Sequence, residues 1–176
     1  ISLGLVGSEM CIRDSVTTER NNKECANSLV QAVLEDEGNY IVIKPNNDMG
    51  SKEVNQALLE LENNSRFSIF PSLRFEYFLV LLKHCNFIIG NSSAGVREAP
   101  YYGVHSIDIG KRQLNRAKSD SIIHTSNNKK DIAAAIQIVK EKERSDQNLS
   151  FGIGQSDKLF IDLLKSKSLW AVSYTH

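Results

Sequence analysis

Five short runs of β-branched and apolar residues recur along this chain, each separated from the next by segments with helical periodicity. That alternation constrains the fold more than any other feature. Residues 40–44 (Tyr-Ile-Val-Ile-Lys), 66–70, 86–90, 104–109 and 121–124 each fit a short buried strand. Between them, residues 22–37 place Ala26, Leu29, Val30, Val33 and Leu34 on one helical face, and residues 53–62 do the same with Val54, Ala57, Leu58 and Leu61. Ser72 is positioned to cap a helix running to about His84. Further helices are expected over 94–102, 130–144 and 157–169. Strands spaced by helices imply parallel βαβ crossovers, hence a doubly wound, mainly parallel α/β sheet. No linker, repeat or low-complexity tract divides it, so a single domain is expected.

The ends do not follow this pattern. Residues 1–15 lack a charged first segment, and Gly4, Gly7 and Ser8 break their apolar stretch, which makes a poor secretory signal. Residues 170–176 follow the last helical pattern without continuing its period. Both pieces resemble adaptor-derived peptides at the edges of translated environmental assemblies. The expectation is a non-native leader at 1–15, the domain at 16–169 and a non-native tail at 170–176; a poorly ordered native terminus is the other reading.

Charge then excludes several function classes. The 21 basic and 21 acidic side chains cancel, leaving no surplus to displace counterions from nucleic acid. No apolar run approaches the ~20 residues that span a bilayer. The three cysteines, Cys11, Cys25 and Cys85, are too few and scattered for a disulfide framework or a zinc site. A reduced, cytoplasmic setting is the default, with neither metal nor cofactor expected.

In an open parallel sheet the ligand lies beyond the carboxyl ends of the strands. The richest loop there is Gly90-Asn91-Ser92-Ser93-Ala94-Gly95, where two hydroxyls and unpaired N–H groups meet at a helix start and can receive phosphate oxygens without a lysine. The same residues also fit a plain turn with Ser93 as N-cap. The loop is neither a Walker loop nor a Gly-x-Gly-x-x-Gly fingerprint, which counts against ATP hydrolysis and nicotinamide binding. Glu98, one helical turn on, either accepts the hydroxyls of a ribose or complements the helix dipole. Lys111, Arg112 and Arg116 follow the next strand; arginine suits bidentate capture of a diphosphate, and a solvated basic loop is the alternative. Asn46 and Asp48 fall in another strand-end loop, where such residues commonly make turns. His84 ends a helix, while His105 and His124 lie within strands and read as packed. No nucleophile–base constellation appears.

Three ordered segments carry a family resemblance. Pro45-Asn46-Asn47-Asp48-Met49-Gly50-Ser51, Gly90-Asn91-Ser92-Ser93-Ala94-Gly95-Val96-Arg97-Glu98-Ala99-Pro100 and Ile109-Gly110-Lys111-Arg112-Gln113-Leu114-Asn115-Arg116 resemble the hydrolysing UDP-N-acetylglucosamine 2-epimerases. The likeness covers 16–169 and corresponds to the C-terminal half of that family, one of two Rossmann-like lobes in a GT-B-like enzyme. It implies conversion of UDP-N-acetylglucosamine and water to N-acetylmannosamine and UDP, or the same reaction on a diacetamido analogue. The product would feed sialic- or legionaminic-acid synthesis. The resemblance further implies that Ser92 and Ser93 hold the diphosphate, Glu98 the ribose and Arg112 the phosphate charge, while Asn46 lines the cleft. The implied partners are a UDP-sugar and the N-terminal lobe of the same enzyme, and a homo-oligomeric full-length enzyme is compatible.

Two departures matter. The family precedes Val-Thr-Thr with His-Pro, whereas this chain has Asp14-Ser15 before Val16-Thr17-Thr18. The acidic catalytic residues of the N-terminal lobe have no counterpart here. No residue of this chain is therefore expected to act as catalytic acid or base, and the fragment is expected to be inactive alone. The donor-binding lobe of a GT-B-type glycosyltransferase, or a non-catalytic nucleotide-sugar-binding module, are the alternatives.

Overall fold

Parallel neighbours cannot be joined by a tight hairpin, and the connections of this chain are long enough to respect that rule. The computed structural model describes residues 3–7, 19–45 and 51–166. In chain order the elements are β1 (Leu3–Gly7), α1 (Glu19–Glu35), β2 (Asn39–Ile43), α2 (Ser51–Leu58), β3 (Phe67–Phe70), α3 (Phe75–His84), β4 (Phe87–Gly90), α4 (Ala94–Tyr101), β5 (His105–Ile109), β6 (Ile122–Thr125), α5 (Lys129–Lys140) and α6 (Ser156–Lys165). The strands form one six-stranded sheet in the order β3-β2-β1-β4-β5-β6. Every pairing is parallel. The order reverses between β1 and β4, which is the topological switch point of a doubly wound sheet.

The sequence reading placed no element in residues 1–15, and the structure corrects it. Leu3–Gly7 is the central strand, with Leu5 opposite Ile41 on one side and Ile88 on the other. The glycines that spoil a signal sequence do not prevent this, because a strand bonded on both sides is held by its backbone. Smaller corrections have local causes. Ser72 does not cap α3; Arg74 holds the N-cap position, in extended conformation, with no side-chain bond. Helix α5 stops at Lys140 rather than 144. Arg144, four residues later, donates to the carbonyls of Lys83 (2.6 Å) and Cys85 (2.8 Å) at the end of α3. The last turn expected of α6, at 167–169, and the tail at 170–176 lie outside the described residues.

Strand alternation divides the interior into two layers. Tyr40, Val42, Phe87, Ile89, Ile107 and Ile109 face α1, α2 and α5, whereas Ile41, Ile43 and Ile88 face α3 and α4. Tyr40 stacks on Phe67 with centroids 5.5 Å apart. At the edge of this layer Asp36 ties the end of α1 to β2 and α5. Its Oδ2 accepts from Gly38 N (2.9 Å) and the Tyr40 hydroxyl (2.8 Å), and its Oδ1 pairs with Lys140 of α5. Burial alone would push this carboxyl up, but the bonds from Lys140, Tyr40 and Gly38 outweigh it and hold the carboxyl below its ordinary value. Helix α6 differs from the rest. None of its residues is buried, and Leu159, Phe160, Ile161 and Leu163 all face solvent.

Candidate functional site

The switch point brings four strand ends into one row. Gly90 of β4 sits opposite Gly7 of β1 and Asp108 of β5, and Asp108 sits opposite His124 of β6. Gly90 leaves its strand at φ 144°, a conformation open to glycine, and turns the chain into Asn91-Ser92-Ser93. Helix α4 begins immediately afterwards. It lies so close to β5 that a Cβ on Gly95 would run into the Ser106 hydroxyl, so glycine lets the helix start sit on the sheet beside that serine.

The two serines have different surroundings. Ser92 is buried, and its Oγ accepts the N–H of Ala94 at 3.2 Å. Ser93 is half-buried and helical, at φ −60° and ψ −22°, and its side chain makes no capping bond. Ser93 thus holds the N-cap position of α4 but caps nothing with its side chain; Ser92 supplies the local turn bond. The N–H groups of Ala94, Gly95 and Val96 already have partners in this turn, in Ser92 Oγ, the Ser92 carbonyl and the Ser93 carbonyl, so what this end offers an anion is the positive pole of the helix dipole and the Ser93 hydroxyl.

A second loop is laid against the first. Gly110, at φ +84°, reverses the chain after β5. Arg112 Nη1 then donates to the carbonyl of Asn91 (3.3 Å), and Gln113 Nε2 donates to the same oxygen (2.9 Å). Gln113 is fully buried, and its Oε1 accepts from Arg116 Nη1 at 3.2 Å. The strap thus hangs the Arg112 guanidinium beside Ser92 and Ser93. Glu98 lies half-buried on α4, one turn past its start. The structure gathers Ser92, Ser93 and Arg112 around Asn91, with Glu98 on the adjoining helix; Asn46 and Asp48 lie outside the described residues.

Two side chains here had no role in the sequence reading. Gln113 anchors the strap, but a lone glutamine in a polar loop gives no sign of burial. Asp108 gave a visible signal, a carboxylate inside the apolar run Ser106-Ile107-Asp108-Ile109. Its side chain is 1% exposed, and Oδ2 accepts from His124 Nδ1 at 2.8 Å. Burial pushes this carboxyl above its ordinary value, while the bond from His124 and the charges of His124 and Arg112 act against that. His124, expected to be packed, has a side chain 35% exposed. His105 is packed as expected, bonded through Nε2 to the Glu143 carbonyl at 2.7 Å.

No group of three or more His, Cys, Asp or Glu able to hold a metal occurs among the described residues. Burial pushes the Cys85 thiol up to about 12, which removes it as a nucleophile. A guanidinium and serine hydroxyls gathered at a helix start are chemistry suited to a phosphate chain.

The family model for UDP-N-acetylglucosamine 2-epimerase matches residues 13–165. The chain belongs to that family. Over 138 residues it is 47% identical to a UDP-N-acetylglucosamine 2-epimerase of Neisseria meningitidis serogroup B, covering 77% of this chain and 36% of that relative. It is 25% identical over 139 residues to a hydrolyzing UDP-N,N'-diacetylbacillosamine 2-epimerase of Legionella pneumophila, covering 79% and 37%. In fold it is similar to the Methanocaldococcus jannaschii UDP-GlcNAc 2-epimerase solved with UDP-GlcNAc and UDP. The TM-score there is 0.69 at 19% identity, covering 93% of this chain and 45% of that one. The chain therefore spans less than half the length of these epimerases, and the doubly wound sheet is the part of the fold they share with it.

Proposed function

We propose that this chain is the UDP-binding half of a hydrolysing UDP-N-acetylglucosamine 2-epimerase, acting on UDP-N-acetylglucosamine or a diacetamido analogue in the cytoplasm. The observation that carries this reading is the Arg112–Gln113 strap bonded to Asn91 O, which sets a guanidinium beside the start of α4 at the switch point. In this arrangement the Ser93 hydroxyl and the positive end of the α4 dipole receive the diphosphate, and Ser92 shapes the loop beneath it. Arg112 neutralises the charge that gathers on UDP as its bond to the sugar breaks. Glu98 takes the ribose hydroxyls, and Asn46 lines the cleft. The sugar loses UDP by elimination, and water then adds with inversion at the second carbon.

Both steps move protons at the sugar ring, and the groups that move them belong to an N-terminal lobe. Positioned acid–base catalysis contributes about 10²–10⁴-fold, and orienting the reactants between two walls is worth ~7–11 kcal/mol. The chain alone supplies neither, so it binds without turnover. The hydrolysing branch is supported by the Gly-Asn-Ser-Ser loop and by the Legionella relative. The test is a UDP-release assay on the purified chain, then on the chain joined to a complete N-terminal lobe with His-Pro restored before Val16. The expected result is no release from the first and release of UDP with free amino sugar from the second. Turnover by the chain alone, or a requirement for a sugar acceptor in the joined protein, would overturn the proposal.

A further inference from the structure

The row Gly90–Asp108–His124 contains a feature that phosphate binding alone does not use. Asp108 is a buried carboxylate placed directly beside the strand end from which the anion-binding loop departs. Oδ2 is bonded to His124, but Oδ1 is buried with no hydrogen-bond partner. A carboxylate with an unsatisfied buried oxygen is poorly solvated in its ionised form. It also repels the ligand. Adjacent strands lie about 4.8 Å apart, so a phosphate at Ser92–Ser93 falls on the order of 10 Å from Asp108. At that separation, with an effective dielectric near 20, one unit of charge changes the affinity for an anion by roughly tenfold.

We infer that diphosphate binding at this loop is coupled to uptake of a proton by the Asp108–His124 pair, so that affinity rises as pH falls. The inference rests on the site reading proposed above. With Asp108 ionised and His124 neutral the pair carries one negative charge; a proton on the pair removes it. His124 is the route by which that proton arrives, because its ring reaches solvent while Asp108 does not. Burial, which holds the Asp108 carboxyl above its ordinary value, favours the protonated pair, and the Arg112 charge opposes it. An anion that occupies Arg112 weakens that opposition, which is the source of the coupling.

Other charged groups lie on the elements packed around β5. On α4, Arg97 lies over the Phe151 ring, 5.7 Å from its centroid, and Glu98 is half-buried. β4 carries no titratable side chain. On the opposite face, His105 bonds the Glu143 carbonyl. On α5, Asp131 accepts from Ser126, Lys129 pairs with Glu35 and Lys140 with Asp36. Lys111 is exposed in the strap.

The test is calorimetry with UDP-N-acetylglucosamine, whose doubly esterified diphosphate does not itself titrate near neutrality. Titrations of the intact chain in buffers of different ionisation enthalpy give the number of protons taken up. The expected result is net uptake near neutrality and an affinity that rises about three- to tenfold as pH falls from about 8 to about 5.5. Asp108→Asn and His124→Gln should each flatten that profile, and Asp108→Asn should bind more tightly than the parent at the alkaline end. Binding with no proton exchange, or uptake that persists in both variants, would overturn this coupling while leaving the binding site intact. Absence of any binding across the range would overturn the site reading and this inference together.

Discussion

Replacing Arg112 with alanine separates charge recognition from loop architecture. The guanidinium and Gln113 share one acceptor, the Asn91 carbonyl, at 3.3 and 2.9 Å. Arg112→Ala leaves the shorter of the two bonds in place, so the strap stays anchored and thermal stability changes little. The binding consequence is larger. Removing a charge-assisted hydrogen bond costs about 1.5–3 kcal/mol, which is roughly a 10- to 150-fold loss of affinity for UDP. Ser93→Ala removes a neutral donor, worth about 0.5–1.5 kcal/mol. Ser92→Ala breaks the turn bond to Ala94 and should act more on stability than on affinity. Because Arg112 is assigned to the diphosphate, UMP should lose much less than UDP in the same variant. Lys111→Ala, in an exposed part of the same loop, should change UDP affinity by no more than about twofold. Calorimetry with both nucleotides reads these differences. Equal losses for UDP and UMP in Arg112→Ala, or an effect of Lys111→Ala as large as that of Arg112→Ala, would refute the assignment.

Three further outcomes concern the fold. Gly95→Ala should destabilise by about 1–3 kcal/mol, since its Cβ meets the Ser106 hydroxyl; Ser106→Ala in the same chain should recover most of the loss, because the Ser106 Cβ lies 3.6 Å away. Denaturant melts of the single and double variants check this. Ile136→Ala, at a fully buried position of α5, should cost about 2–5 kcal/mol, whereas Leu159→Ser, 67% exposed on α6, should stay within about 0.5 kcal/mol. Asp36→Asn should cost about 1–3 kcal/mol at neutral pH, as it leaves Lys140 without its charged partner. The Asp36 carboxyl is held below its ordinary value, so its contribution is complete above the ordinary carboxylate range and fades as pH falls through the lowered value. Melts of parent and variant should therefore converge at strongly acid pH.

Much of the sheet was legible because its strands are β-branched runs bounded by turn residues, and the helices between them dictate parallel pairing. The central strand was not. Leu-Gly-Leu-Val-Gly carries too little pattern to be read without knowing that β2 and β4 leave a place between them. The loop proposed to bind the anion could be singled out for a topological reason: ligands gather where strand order reverses, and Gly90–Ser93 leaves the sheet at that point. Arg112 could be named as a candidate but not placed, since its position depends on the Gln113–Asn91 bond between residues 22 apart in sequence. The Asp108–His124 pair depends on the register of β5 with β6, which no local pattern encodes. A charged residue inside a strand was the available sign, and it marks a partner without saying which one.

The Asp36 hub has a kinetic consequence. It joins residues 104 positions apart, the end of α1 and the end of α5. Helix α1 crosses over to β2 and α5 follows β6, so the bond latches the first half of the winding to the last. Contacts of such long separation close late, after each half has gathered its own neighbours. An interaction absent from the transition state slows unfolding and leaves the folding rate nearly unchanged. Lys140→Met should therefore shorten the lifetime of the folded lobe without delaying its formation. What the latch governs is persistence: how long the two halves stay clasped before a protease finds them apart.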